Sequence, residues 1–191
     1  GARIIANSVK SKEVDLLFKA VFDLDKRLKE KDEIFPRNVG ENFKRPAIGS
    51  RKVEGVTAGS NPLKGNANAS VLMVEFSDFQ CPFSKKFYQQ IFPLLEKEYI
   101  ATGKVKFAYR DFPLGFHALA KPAAIAARSA GKQGKYWQMF DKLISGSSLE
   151  KETLKKYAEE LGLNMKEYEA NLTKDEIKEA LEADVKDANK F

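Results

Sequence analysis

The chain has 191 residues, 43% of them hydrophobic and 31% charged, with a formal net charge of +6. That length and mix suit one medium-sized globular domain with an appendage, and no apolar run approaches the roughly 18 residues a membrane-spanning helix needs. The charge is spread as +5 over residues 1–70, +5 over 71–145 and −4 over 146–191; without a dense basic run this argues against nucleic-acid binding. One cysteine, Cys81, and one histidine, His117, exclude an internal disulfide and a Cys/His metal centre.

Residues 1–33 read as an N-terminal helical unit. The chain opens Gly-Ala-Arg without a charged and apolar leader, so no signal peptide is read here. Ser11 can cap a helix with Glu13 and Asp15 in its first turn. Val14, Leu17, Val21, Leu24 and Leu28 then recur at alternating spacings of three and four, a seam widened by Phe18 and Phe22. Such a seam is expected either to pack on its own domain or to pair with a second copy of the chain. Residues 34–70 read as a connector, because Pro36, Pro46 and Pro62 and five glycines interrupt any sustained period. Within it, Arg51 to Thr57 could form a short strand.

The organising stretch is VLMVEFSDFQCPFSKKFYQQIFPLL, residues 71–95. Its near-continuous apolar start predicts a strand buried on both faces. A polar corner follows, where Asp78 reads as an exposed capping or solvated residue. Cys81 then stands directly before Pro82, and proline is favoured at the first helical position because its missing N–H has no intrahelical partner to lose. Cys81 is thus expected at a helix N-cap, where free N–H groups and the positive end of the helix dipole favour an ionised sulfur. The bland alternative is an inert, buried small residue. Glu75, between apolar neighbours, is expected to be buried. Lys85 and Lys86 in the first helical turn read as solvated.

The helix is expected to run to about Ile100, with Phe83, Phe87, Ile91, Leu94 and Leu95 inward and a kink at Pro93. Val105, Phe107 and Tyr109 alternate with Lys104, Lys106 and Ala108, predicting a second, parallel strand with one partly polar face in a right-handed βαβ unit. In such sheets function gathers at the carboxyl ends of the strands, where Cys81 lies. The remainder reads as helical: a segment from Pro122 through Ala130, an aromatic one around Tyr136, Trp137, Met139, Phe140 and Leu143, one around Leu154 to Leu161, and a last one from Ile177 to near Phe191. The aromatic group is expected to be core rather than a peptide groove.

EFSDFQCPFSKKF resembles the active-site segment of the DsbA-like thiol–disulfide oxidoreductases, a branch of the thioredoxin superfamily. YRDFPL (109–114) and AARSAGKQGKYWQMFDKL (126–143) extend the resemblance in the family's order. It implies an α/β thioredoxin-like fold over 71–191 with a helical insert at about 115–175. It also implies thiol–disulfide exchange on cysteine-containing exported proteins, with a redox partner protein, a periplasmic or other extracytoplasmic setting, and no cofactor. Cys81 would be the nucleophile, Pro82 and Phe83 would shape the substrate corner, and Glu75 would assist proton transfer. N-terminal extensions form dimers in relatives, so the resemblance makes residues 11–33 a candidate homodimer contact. It places His117 away from the thiol, as a structural or surface residue.

Two departures stand out. The family carries Cys-x-x-Cys, whereas Ser84 holds the second position here; a serine cannot resolve a mixed disulfide by thiolate exchange. Ser84 is either an engineered change or the mark of a natural monothiol member that depends on an external thiol. The family also continues with further strands and a cis-proline, and the sequence has no proline after Pro122. The competing reading is a non-catalytic peptide-binding or chaperone-like module, and a glutathione-handling enzyme is a weaker third.

Overall fold

The computed structural model describes the backbone of Arg3–Ser8 and residues 55–190 in full. The helical seam read over 11–33, and with it the homodimer contact, lies outside the described residues, as do residues 51–54 of the tentative Arg51–Thr57 strand.

A three-stranded sheet in the order β1-β2-β3 forms the centre. Strand β1 (Arg3–Ser8) runs antiparallel to β2 (Val71–Ser77), pairing Arg3 with Phe76 and Ser8 with Val71. The N-terminal unit therefore begins as a strand, not as part of a helix. Sequence periodicity could not show this, because the partner lies more than sixty residues away. Strand β3 (Val105–Asp111) runs parallel to β2, Val71 opposite Val105 and Glu75 opposite Tyr109. The parallel βαβ unit stands as expected. Its second strand is not half polar, however: Ala108 and Arg110 are as buried as Phe107 and Tyr109, because a second apolar cluster covers that face. On the open edge of β3, Lys64 exchanges both backbone hydrogen bonds with Phe107, each 2.8 Å.

Helix α1 (Pro82–Gln90) leads from the corner and stops at Ile91; α2 (Phe92–Leu95) and one π-helical turn (Glu96–Ile100) complete the segment. Pro93 lies at the break. Without an N–H, and with a ring that crowds the preceding turn, it cannot continue a regular helix. Five further helices follow, α3 (Ala120–Gly131), α4 (Tyr136–Ser145), α5 (Lys151–Glu160), α6 (Met165–Asn171) and α7 (Asp175–Ala188). Sequence reading missed α6, which is capped by Asn164 accepting from the Glu167 N–H at 3.1 Å.

Two apolar layers flank the sheet, as alternation along a strand requires. Val71, Met73, Phe107 and Tyr109 face α1, α2 and the helical insert, while Val74, Phe76 and Ala108 pack with Val56 and Ala188 on the other side. The aromatic group is core: Phe79, Tyr109 and Phe140 meet at centroid distances of 4.9–5.2 Å, contacts each adding about 0.5–1.5 kcal/mol beyond simple burial. Gly59, at φ +69, lets the chain pass so close to Arg110 that a Cβ would sit 2.6 Å from Nε.

Candidate functional site

The carboxyl ends of β2 and β3 and the start of α1 meet at one corner. Cys81 is the N-cap of α1, with extended backbone (φ −65, ψ 117) and Pro82 as the first helical residue. Its carbonyl accepts the Lys85 N–H at 3.1 Å, which starts the helix, and its own N–H donates to the Asp78 carbonyl at 3.3 Å. Its side chain caps no N–H group. Cys81 is 3% exposed and belongs to neither apolar cluster, while Phe83, expected on the inward face, is instead 69% exposed, because the first turn of α1 lies at the open corner.

Ser84 lies one turn further along α1, fully buried, and its hydroxyl is hydrogen-bonded to that of Ser77 at the end of β2. One turn deeper the pattern repeats. The Tyr88 hydroxyl donates to Glu75 Oε2 at 2.7 Å, two strand residues below Ser77. Residues 84 and 88 on the helix thus face 77 and 75 on the strand, which places Glu75 about 7 Å further into the core than the Ser77–Ser84 contact. Glu75 is fully buried, and its second oxygen, Oε1, has no partner among the described residues. Burial pushes its carboxyl up to about 8, against a smaller opposing effect of the Tyr88 hydrogen bond. At neutral pH the group therefore holds a proton that it can give up just above neutrality.

Two expectations are corrected here. Asp78 is not an exposed corner residue but 3% exposed. Its carboxylate accepts the Gln80 N–H at 2.9 Å and the Leu114 N–H at 3.2 Å, and pairs with His117 Nδ1 at 2.8 Å. His117 is thereby fastened to the turn that carries Cys81, which fits the structural role expected of it. The loop between β3 and α3 is fastened again by Gln80 Oε1, which accepts the Leu119 N–H at 2.9 Å. Lys85 is half-buried and donates to the Gly146 carbonyl at 2.9 Å, so it is not simply solvated.

A second polar group lies behind β3. Arg110 and Arg128 share Asp184, and Arg128 also meets Asp111 at 2.7 Å. Asp184 further accepts the Asp111 N–H at 3.0 Å, while Asn61 donates to Asp111 at 3.4 Å and to the Tyr109 carbonyl at 2.9 Å. Sequence reading passed over this cluster. The signal available was a charged pair, Arg110-Asp111, ending a mostly apolar strand, and an arginine on the alanine-rich helix α3. Among the described residues no group of histidine, cysteine and carboxylate side chains could hold a metal ion.

The family model described as thioredoxin matches residues 57–191. A putative protein-disulfide oxidoreductase of Rickettsia conorii is 30% identical over 140 residues, 70% of this chain and 50% of that one. A Na(+)/H(+) antiporter NhaA 3 of Salinispora tropica is 32% identical over 112 residues, 58% of this chain and 17% of that one. The chain therefore spans half or less of these curated relatives. Among solved structures, a thioredoxin-like oxidoreductase from Silicibacter pomeroyi superposes with a TM-score of 0.60 at 25% identity, covering 68% of this chain and 72% of that one. BdbD from Bacillus subtilis gives 0.56 at 28%, covering 65% and 71%. With a helical insert between β3 and α7 and a cysteine at the mouth of α1, the chain belongs to the thioredoxin superfamily as a DsbA-like member.

Proposed function

We propose that the chain carries out thiol–disulfide exchange on cysteine-containing proteins, with Cys81 as the nucleophile. The observation that carries this reading is the N-cap position of Cys81, one helical turn before Ser84, with the proton-holding Glu75 beneath both. The Cys81 sulfur attacks one sulfur of a substrate disulfide, forming a Cys81–substrate disulfide while the other substrate sulfur leaves as a thiolate. That leaving sulfur takes up a proton, and Glu75 is the buried group able to exchange one nearby. Pro82 and Phe83, exposed at the helix start, form the surface a substrate meets first.

Ser84 sets where the reaction stops. Its hydroxyl can donate a hydrogen bond to the Cys81 sulfur but cannot attack the mixed disulfide, so release requires an external thiol, from glutathione or a redox partner protein. Ser84 is also what favours the alternative reading of a binding module without turnover. The setting we propose is extracytoplasmic, the periplasm of a bacterium, because disulfide exchange on folding proteins persists where the compartment is oxidising.

Ser84→Cys tests the reading. Incubated without added thiol with a substrate protein whose single cysteine is capped with nitrothiobenzoate, the reduced present chain is expected to displace nitrothiobenzoate and to remain as a Cys81–substrate mixed disulfide. In the variant the second sulfur should release the substrate as a free thiol and leave an internal 81–84 disulfide, seen by mass spectrometry. A present chain that forms no mixed disulfide, while its variant still closes the 81–84 disulfide with an added oxidant, would favour the binding module.

A further inference from the structure

Among the described residues, Phe83 and Phe116 are the two large apolar side chains left exposed, at 69% and 78%. Thirty-three positions separate them, yet each is linked to the turn that carries Cys81. Phe83 follows Cys81 on α1. Phe116 sits in the β3–α3 loop, its ring meeting the edge of His117 at 4.4 Å, and His117 in turn is bound to Asp78 at 2.8 Å. The same Asp78 accepts the Leu114 N–H from that loop, and its carbonyl accepts the Cys81 N–H. The loop is therefore fastened to the cysteine turn on both sides of Phe116, at Leu114 and at His117, and again at Leu119.

Leaving two phenylalanines in water loses burial free energy that the chain could gain elsewhere, and part-buried hydrogen bonds fasten the loop that carries one of them. We infer that Phe116 is a specificity-determining residue, forming with Phe83 an aromatic pair that grips a large apolar side chain next to the reacting cysteine of an extended polypeptide. Asp78 and His117 are its positioning residues. This rests on Cys81 being the reacting sulfur, and it adds a substrate preference that the reaction itself does not require. A tethered aromatic surface loses little conformational freedom on contact, which is why its position has to be fixed beforehand.

The test uses the full chain and two short peptides whose cysteine is capped with nitrothiobenzoate, one with phenylalanine and one with glycine beside the cysteine. Cys81 forms a disulfide with the peptide sulfur and nitrothiobenzoate leaves as a coloured thiolate, so each rate is read directly. The parent chain is expected to react about fivefold faster with the phenylalanine peptide, the order of one partly buried aromatic contact. Phe116→Ser, at an exposed position, should bring that ratio below about twofold while leaving the glycine peptide and free dithiobis(nitrobenzoate) unchanged. His117→Gln should lower the ratio in the same way, through the loop. A parent ratio near one, or a ratio that survives Phe116→Ser, overturns the inference; a ratio lost in Phe116→Ser but kept in His117→Gln overturns the positioning role alone. If Cys81 reacts with dithiobis(nitrobenzoate) more slowly in the native chain than in the unfolded one, the nucleophile reading fails. The peptide ratio still decides the aromatic pair.

Discussion

Asp184→Ala is expected to cost about 3–5 kcal/mol of folding free energy, a large share of the roughly 5–15 kcal/mol that holds a domain of this size together. Asp184 is 1% exposed and ties Arg110, Arg128 and the Asp111 N–H to helix α7. Its removal leaves two buried guanidiniums sharing Asp111 and the half-exposed Asp187. An unpaired buried charge costs more than the pair gained, since desolvation has already been incurred. Arg128→Met combined with Asp184→Asn should lose less than the two singles added, by about 1–3 kcal/mol, because each single strands the other's charge. Urea unfolding followed by circular dichroism measures all four values. A loss below about 1 kcal/mol for Asp184→Ala would mean that water reaches the cluster and that the insert is held to the sheet by apolar contact alone.

Glu75→Gln is the second large effect, with opposite signs for stability and chemistry. In the unfolded chain Glu75 titrates near 4.5, whereas burial raises it to about 8 in the fold. Below pH 4.5 both states hold the proton and the residue contributes nothing to the pH dependence. Between 4.5 and 8 the unfolded chain binds fewer protons than the folded one, so stability falls as pH rises, and above 8 the deficit is constant. The glutamine variant lacks this slope. It should match the parent at pH 4 and exceed it by roughly 2–5 kcal/mol at pH 9, each unit of displacement being about 1.4 kcal/mol. Exchange chemistry should move the other way: at pH 7 the mixed disulfide should form about tenfold more slowly, because glutamine cannot pass a proton to or from the reacting sulfurs. Parallel stability curves for parent and variant across pH 4–9 would show that Glu75 is charged in the fold. Unchanged exchange rates would remove it from the chemistry and leave it as a structural acid.

What the sequence made legible was local. The apolar run of β2, the proline-started helix, the break at Pro93 and the 3.6-residue spacing of the insert depend on neighbours within a turn or two, and they stand in the structure. The unread parts are pairings at long range. The Asp78–His117 contact spans 39 positions, Arg128–Asp184 spans 56, and β1 finds β2 across more than sixty. Asp78 was misjudged for a physical reason: a short acid in a turn is usually wet, and only the N–H groups of Gln80 and Leu114 and the His117 ring make its burial tolerable. Ala108 misled in a similar way, since alanine beside two lysines gives no hint that α7 covers it. At the candidate site, the helix-cap position of Cys81 and the burial of Glu75 could be read from their neighbours. The twofold ladder joining 84 to 77 and 88 to 75 needed coordinates.

Cys81 is proposed to react because of where the fold holds it, although it is 3% exposed. The most direct measurement is iodoacetamide modification at pH 7, followed by intact-mass spectrometry, on the native chain and on the chain unfolded in urea. Native Cys81 is expected to be alkylated at least several-fold faster than in the unfolded chain, as a nucleophile held at a helix start should be. A native thiol that stays protected for hours and reacts only after unfolding would make Cys81 an inert packing residue and contradict the proposal.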